Sequence, residues 1–364
     1  MKRFLCILLA LCMLVCLCAC GEAEEKPAVE TEQTTTTATD AATTTTFLSN
    51  CPTATEGTSA TTTADTTTTK LTTTTTTKTT TTTTKTTTTA DDREDWEDTT
   101  AAPTTPPVKK SIRILAVGNS FSVDAMEIHL YWMLEAAGYN DIVLGNLYIG
   151  GCDLKTHYNH IKNDTAAYEF RVTTDGYWEY RKDVTAATAF NYADWDVVTL
   201  QQASPDSGRP DTYSYLPELA QMVRQQAKPK KLLWHMTWAY QQNSDHWAFG
   251  PYYQKNQMTM YNAIADAVTD QVLTNDLIDG VIPCGTAVQN MRTSALGGTL
   301  TADGYHLEDR KGDYLASLTW YYVITGNDPA KVGHCPGYID DYFADMVKSV
   351  KNAVTTPTAV TPCQ

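Results

Sequence analysis

The chain has 364 residues, 42% of them hydrophobic, and its 42 acidic and 27 basic side chains give a net charge of −15. That acidity repels phosphate backbones at long range, and no Lys/Arg cluster interleaves with aromatics, which argues against nucleic acid as a partner. The composition is uneven: residues 31–107 hold 40 Thr, and every aromatic residue except Phe4, Phe47 and Trp96 lies in the last 257 residues, Val108 to Gln364. A segment of that length suits one α/β domain with a sizeable core.

The chain opens with Met1-Lys2-Arg3 and an apolar run from Phe4 to Ala19. Sixteen residues fall short of the about 20 that a membrane-spanning helix needs, and the pattern reads as a secretory signal peptide. The run ends Leu17-Cys18-Ala19-Cys20, which resembles a bacterial lipobox. That resemblance implies cleavage before Cys20, lipidation of Cys20, and a membrane anchor through its acyl chains. Five cysteines belong to this leader; the others are Cys51, Cys152, Cys284, Cys335 and Cys363. Their odd number, irregular spacing and lack of any CxxC pair exclude a zinc ribbon and do not indicate a disulfide framework.

The next segment is too poor in large apolar side chains to offset chain entropy, so it is expected to be disordered. Poly-Thr tracts punctuated by Lys70, Lys78 and Lys85 run into an acidic stretch from Asp91 to Asp98 and a Pro-rich exit at Pro103, Pro106 and Pro107. As a flexible coil, such a linker spans roughly 50 Å. The expected organisation is a lipoprotein signal peptide over 1–20, a disordered Thr-rich linker over 21–107, and a catalytic domain over 108–364. Leader, stalk and domain in that order suggest a protein held outside the cytoplasm, lipid-anchored to the membrane and extended toward the cell wall.

The domain alternates strand and helix signals. Ser111 to Val117 is an apolar run ending at Gly118, the pattern of a buried parallel strand. Asp124 to Ala137 carries Met126, Leu130, Met133 and Leu134 at helical spacing, with Gly138 as its stop. Ile142 to Ile149 is a second strand ending at Gly150-Gly151. Tyr168 to Tyr180 alternates around Asp175-Gly176, which suggests a hairpin insertion. Strands at 196–200, 231–236 and 278–283 follow, with helices at 216–226, 254–273, 310–324 and 338–354. Such alternation predicts an α/β fold with a mostly parallel, five-stranded sheet and helices on both faces. In these sheets active sites collect at the carboxyl ends of the strands.

Four groups stand at those ends. Gly118-Asn119-Ser120-Phe121-Ser122 places a hydroxyl at a sharp turn before a helix. Gly150-Gly151-Cys152-Asp153 is a tight turn whose backbone N–H can face a substrate oxygen. Gln201-Gln202-Ala203-Ser204 brings two amides to the end of a buried strand, the uncharged donors that an oxyanion hole uses. Asp303-Gly304-Tyr305-His306 puts a carboxylate three residues before a His, where it can orient Nδ1–H.

Taken together and in this order, these groups resemble the SGNH hydrolases, the GDSL-like esterases and lipases. The likeness covers residues 111–350. Tyr148-Ile-Gly-Gly-Cys152, Leu200-Gln-Gln-Ala-Ser204 and Trp234-His-Met-Thr-Trp-Ala-Tyr240 further resemble a bacterial domain-of-unknown-function branch of that superfamily. The resemblance implies a three-layer α/β/α sandwich of flavodoxin-like type. It assigns Ser120 as nucleophile, His306 as base, Asp303 as acid, and the Ser120 and Gly151 N–H groups as oxyanion donors, with no cofactor required. Two departures stand out. Asn119 replaces the family's Asp, and the third-block Asn is missing, so Gln201 or Gln202, preferably Gln202, is expected to supply its amide.

The implied function is a carboxylic ester hydrolase acting through an acyl-enzyme. Aromatic residues from Trp234 to Tyr253 suit sugar rings, and no long apolar lid favours a lipid. The expected substrate is therefore an O-acylated, chiefly acetylated, polysaccharide or oligosaccharide, with Trp238, Tyr240, His157 and Gln201 as candidate substrate contacts. Two other readings stay open. A surface-tethered glycan-binding protein could retain the fold without turnover. Alternatively Asp153, His157 and His160, at spacings of four and three, could hold a divalent metal for a metal-dependent hydrolase.

Overall fold

The computed structural model describes residues 109–363. The expected leader, the lipidation site Cys20, the Thr-rich linker and Cys51 lie outside these residues. Cys152, Cys284 and Cys363 are buried free thiols, and Cys335 is also buried.

Among these residues, seven strands form one sheet: β1 (Ser111–Gly118), β2 (Asp141–Tyr148), β3 (Tyr168–Thr173), β4 (Glu179–Val184), β5 (Val197–Leu200), β6 (Lys231–His235) and β7 (Gly280–Ile282). Their spatial order is β4-β3-β2-β1-β5-β6-β7. The five strands expected from the apolar runs are β2, β1, β5, β6 and β7, and these pair in parallel. The hairpin β3–β4 extends the same sheet antiparallel to β2, so the sheet is mixed and larger than expected. Its turn falls at Asp175-Gly176, where Gly176 takes a φ of +89°. β4 escapes the apolar-run criterion because it is an edge strand of the sequence Glu-Tyr-Arg-Lys-Asp-Val, almost wholly exposed.

Among the described residues, eight helices of seven or more residues flank the sheet: α1 (Ser120–Met126), α2 (Leu130–Ala136), α3 (Leu154–Lys162), α4 (Leu216–Gln226), α5 (Gln257–Ala267), α6 (Cys284–Met291), α7 (Lys311–Thr325) and α8 (Phe343–Thr355). α1, α2, α6, α7 and α8 pack together as one layer, while α3 packs on α4 in another, giving the α/β/α sandwich. The long helix expected from Gln254 is α5 continued by a wider, π-type turn over Val268–Val272. The single helix expected over 124–137 is instead two. It begins earlier, at Ser120, because Asn119 caps it by accepting the Phe121 N–H at 3.1 Å. It breaks after Met126, where the Glu127 carbonyl accepts the indole N–H of Trp178 from the hairpin at 2.8 Å.

The consequence for the site is positional. β1 has β2 on one side and β5 on the other, so the chain reverses its direction of travel across the sheet at β1. A crevice opens outside the carboxyl ends of the strands at such a switch point. Ser120 follows β1 directly and stands there.

Candidate active site

Ser120 is the first residue of α1, where the opening N–H groups of a helix have no partner within it. The turn leading to it is tight. A Cβ on Gly118 would lie 2.6 Å from Ser122 Oγ and 2.9 Å from Gln201 Oε1, so only glycine fits. The second turn is held by Gly151, at a φ of +62°, a left-handed conformation that costs other residues strain. The two turns are tied together: Asn119 Nδ2 donates to the Cys152 carbonyl at 3.1 Å.

His306 comes from the segment before α7. Its Nε2 lies 2.8 Å from Ser120 Oγ and its Nδ1 lies 2.7 Å from Asp303 Oδ2. Asp303 accepts through its other oxygen the backbone N–H of His306 at 2.7 Å and of Tyr305 at 3.0 Å. Burial pushes this carboxyl upward, yet its hydrogen bonds with His306 and Tyr305 outweigh that and leave it below its ordinary range. An ionised Asp303 must accept, so Nδ1 carries the His306 proton and the Nε2 lone pair faces the Ser120 hydroxyl. This is the geometry of an activated serine nucleophile.

The loop that carries the acid and base is pinned from several sides. Thr301 bridges to Leu307, and Ala302 N–H donates to the His306 carbonyl at 3.0 Å. Gln241 N–H donates to the Gly304 carbonyl at 2.7 Å. Leu307 N–H donates to Asp124 Oδ2 at 2.8 Å. Asp124 is one helical turn beyond Ser120, so this bond joins the nucleophile's helix to the base's loop. The spacing of four residues was the only sequence sign of this partnership. Burial raises the Asp124 carboxyl to about 7, against the pull of Leu307 N–H and His306.

The two glutamines are not placed as the sequence suggested. Gln202 is buried; its Nε2 donates to Thr212 Oγ1 at 3.0 Å and to the Thr212 carbonyl at 3.3 Å. Its Oε1 accepts Leu154 N–H at 3.0 Å and Ala203 N–H at 2.9 Å. Gln202 thus caps the start of α3 and has no amide hydrogen left for an oxyanion. Gln201 Nε2 donates to Asn119 Oδ1 at 2.7 Å, and its Oε1 lies 2.9 Å from His235 Nδ1. Burial lowers His235 to about 3, so it is neutral and donates from Nδ1 to Gln201. Gln201 therefore supports the nucleophile turn from behind, buried away from any substrate.

The other proposed substrate contacts are also interior. Trp238 is 0% exposed, stacks on Phe121 at 4.3 Å, and donates its indole N–H to the Tyr305 carbonyl at 2.7 Å. It holds the catalytic loop instead of a sugar. Tyr240 is 0% exposed, with its hydroxyl 2.9 Å from Ser204 Oγ. His157 is buried against Tyr168, 3.2 Å from Nδ1 to the phenol oxygen, and burial lowers it to about 4. Asp153 caps α3 by accepting Thr156 N–H at 2.8 Å. His157 and His160 thus both pack on Tyr168, the latter edge-on at 5.9 Å between ring centroids, while Asp153 is a helix cap. Among the described residues no three His, Cys, Asp or Glu side chains converge as a metal site.

A family model described as "Domain of unknown function (DUF4886)" matches residues 113–354. The chain belongs to the DUF4886 family. A DUF4886 family protein of Bacteroides uniformis superposes with a TM-score of 0.65 at 38% identity, covering 69% of this chain and 98% of that one. The α/β/α fold and the strand-end order of Ser, Gly and Asp-x-x-His in this DUF4886 member resemble those of the SGNH hydrolases. More distant likenesses include an acetyl xylan esterase, at 16% identity and TM-score 0.37 over 58% of this chain and 100% of that one. Another is the lipase/acylhydrolase of Enterococcus faecalis, at 13% identity and TM-score 0.37 over 59% of this chain and 96% of that one. A model described as mucin-like glycoprotein matches residues 1–137. The search of curated proteins found no match.

Proposed function

We propose that this DUF4886 protein is an extracytoplasmic serine esterase that removes O-acyl groups, acetyl above all, from carbohydrate. The observation that carries the reading is the unbroken relay Ser120 Oγ–His306 Nε2 at 2.8 Å and His306 Nδ1–Asp303 Oδ2 at 2.7 Å. His306 takes the Ser120 proton as Oγ attacks the ester carbonyl. The Ser120 and Gly151 N–H groups stabilise the tetrahedral oxyanion, each worth roughly 10²–10³ in rate. The imidazolium then protonates the departing sugar alkoxide. Water, deprotonated by His306, attacks the acyl-serine and releases the carboxylic acid, which regenerates Ser120.

The test is hydrolysis of p-nitrophenyl acetate and of an acetylated polysaccharide by residues 108–364, beside a folded Ser120→Ala variant. Loss of both activities in the variant supports the esterase. Equal, negligible rates for both proteins would defeat it. One observation keeps a second reading in play: both glutamines at the third strand end are committed to structural hydrogen bonds, leaving no amide hydrogen of Gln202 for the oxyanion. In that reading the domain binds glycan without turnover, and glycan affinity without Ser120-dependent hydrolysis would favour it.

The location is proposed on the leader and stalk pattern of the sequence, with Cys20 as the lipidated residue and the Thr-rich segment as the tether. Metabolic labelling with a radiolabelled fatty acid in a bacterial host tests it. Label should enter the wild-type chain and be lost on Cys20→Ala.

A further inference from the structure

Beside the triad, the rings that were expected to form one wall divide sharply. Trp234, Trp238, Tyr240, Phe249 and Tyr253 are core residues, each 1% exposed or less. Trp247 is 66% exposed and Tyr252 is 40% exposed. A lone exposed aromatic needs no explanation, but these two are neighbours, 5.8 Å apart between ring centroids. They also connect to the catalytic base through successive ring contacts. His306 lies 4.3 Å from the partly exposed Tyr305, Tyr305 lies 4.8 Å from His246, and His246 lies 5.7 Å from Trp247. At the far end the Arg209 guanidinium stands 4.4 Å over the Tyr252 ring, held by Asp206 at 2.8 Å and Asp211 at 3.1 Å.

We infer that Trp247, Tyr252 and Tyr305 form a binding platform for the saccharide chain of a neutral glycan, leading from Ser120 toward Arg209. The inference rests on the esterase reading for the identity of the reacting group and extends it to the rest of the substrate.

Three features carry it. The platform's loop is tied to the catalytic loop through Gln241 N–H to the Gly304 carbonyl, and Ser244 packs so close to Gly304 that a Cβ there would stand 3.0 Å from Ser244 Cα. A preordered ring costs little entropy when a ligand stacks on it, whereas a mobile loop would have to be ordered first. The mixture of ring faces and polar side chains fits a saccharide, which presents apolar C–H faces and hydroxyl edges. Trp247 and Tyr252 offer the first, and the exposed Gln242, Asn243 and Asp211, with Arg209, offer partners for the second. Finally, Asp206, Asp211, Asp245 and Asp303 lie along the platform and outnumber the cations beside it, Arg209, itself paired with two of them, and Lys255, whose side chain runs next to Gly250. That charge disfavours uronate or phosphate polymers and anionic lipid surfaces.

The experiment uses the Ser120→Ala chain, which holds ligand without turning it over, and follows its tryptophan fluorescence and calorimetric binding. The probes are unacetylated hexasaccharides of xylose, glucose and mannose, with hexagalacturonate as the anionic comparison. At least one neutral hexasaccharide should bind, more tightly than hexagalacturonate. Trp247→Ala in the same background should weaken that binding at least tenfold, and Trp247→Phe should restore part of it. Trp247 is a surface side chain, and circular dichroism verifies that the variants fold. Absence of binding to every neutral probe, binding unaffected by Trp247→Ala, or equal affinity for hexagalacturonate would each overturn the platform. p-Nitrophenyl acetate hydrolysis by the wild type reports separately on the esterase, so the two readings can fail independently.

Discussion

Gln201 Nε2 donates to Asn119 Oδ1 at 2.7 Å, and this one bond joins the residue that replaces the SGNH pattern's Asp to one of the two glutamines at the third strand end. Asn119 needs both halves of its amide. Its oxygen accepts from Gln201 and from Phe121 N–H, while its nitrogen donates to the Cys152 carbonyl. A carboxylate could do the first but not the second. Asn119 and Gln201 thus belong to one buried arrangement, His235–Gln201–Asn119–Cys152, that fixes the nucleophile turn against the glycine turn.

Asn119→Asp should therefore destabilise the domain by about 1–3 kcal/mol at neutral pH, the cost of setting an unpaired acceptor against a buried carbonyl. The penalty should shrink in acid, where the introduced carboxyl, once protonated, can donate to the Cys152 carbonyl in place of the amide. Urea unfolding of the variant and wild type at pH 7.5 and pH 4.5 measures this. An equal difference at both values would contradict it.

Asp303→Asn should leave the domain folded and lower kcat on p-nitrophenyl acetate by roughly 10⁴, because an amide no longer holds His306 in the Nδ1–H tautomer. Ser120→Ala should lose at least as much. Steady-state kinetics on the small ester, with circular dichroism to verify folding, decides between this and a triad that is merely decorative.

Trp238→Phe retains a ring for the Phe121 stack but removes the N–H that holds the Tyr305 carbonyl. If the indole positions the catalytic loop, kcat should fall about tenfold or more, since small misplacement of a base is costly. KM for p-nitrophenyl acetate should change less. A rise in KM with kcat intact would instead mark Trp238 as a substrate contact.

Asp313 on α7 is 4% exposed, and its Oδ1 has no hydrogen-bond partner among the described residues. Burial, reinforced by Asp124, Asp309 and Glu308, raises this carboxyl from an ordinary value near 3.8 to about 9. Across that window the folded protein holds a proton that the unfolded chain has released. The contribution of Asp313 to stability is therefore complete below pH 4 and is lost as pH rises toward 9. Asp313→Asn removes this titration. Its melting temperature should exceed that of the wild type by a margin that widens from pH 5 to pH 9. A constant margin would mean that Asp313 does not titrate in this range.

Much of the fold was legible in the sequence because buried parallel strands are uninterrupted apolar runs. β1, β2, β5, β6 and β7 announce themselves that way, and the strand-end rule then leads from β1 to Ser120. Asp303 and His306 were legible because three residues on one loop suffice to bring a carboxylate to Nδ1. The hairpin turn at Asp175-Gly176 was visible, but the joining of β3 and β4 to the main sheet was not. β4 carries charges at an exposed edge, and strand pairing is a contact between distant segments.

Side-chain direction was decided only by the tertiary structure. Gln201 and Gln202 look alike as adjacent amides at a strand end, yet one faces Asn119 and His235 and the other Thr212 and Leu154. The aromatic stretch likewise gave no sign that Trp238 lies inside, pinning the catalytic loop, while Trp247 lies outside, beside it. By itself the sequence determined which residue types stand at the carboxyl ends of which strands, since apolar patterning along the chain is a local property. Which of those groups reach Ser120, and which support it from behind, depends on packing between segments far apart in the chain. That packing exists only once the sheet has formed.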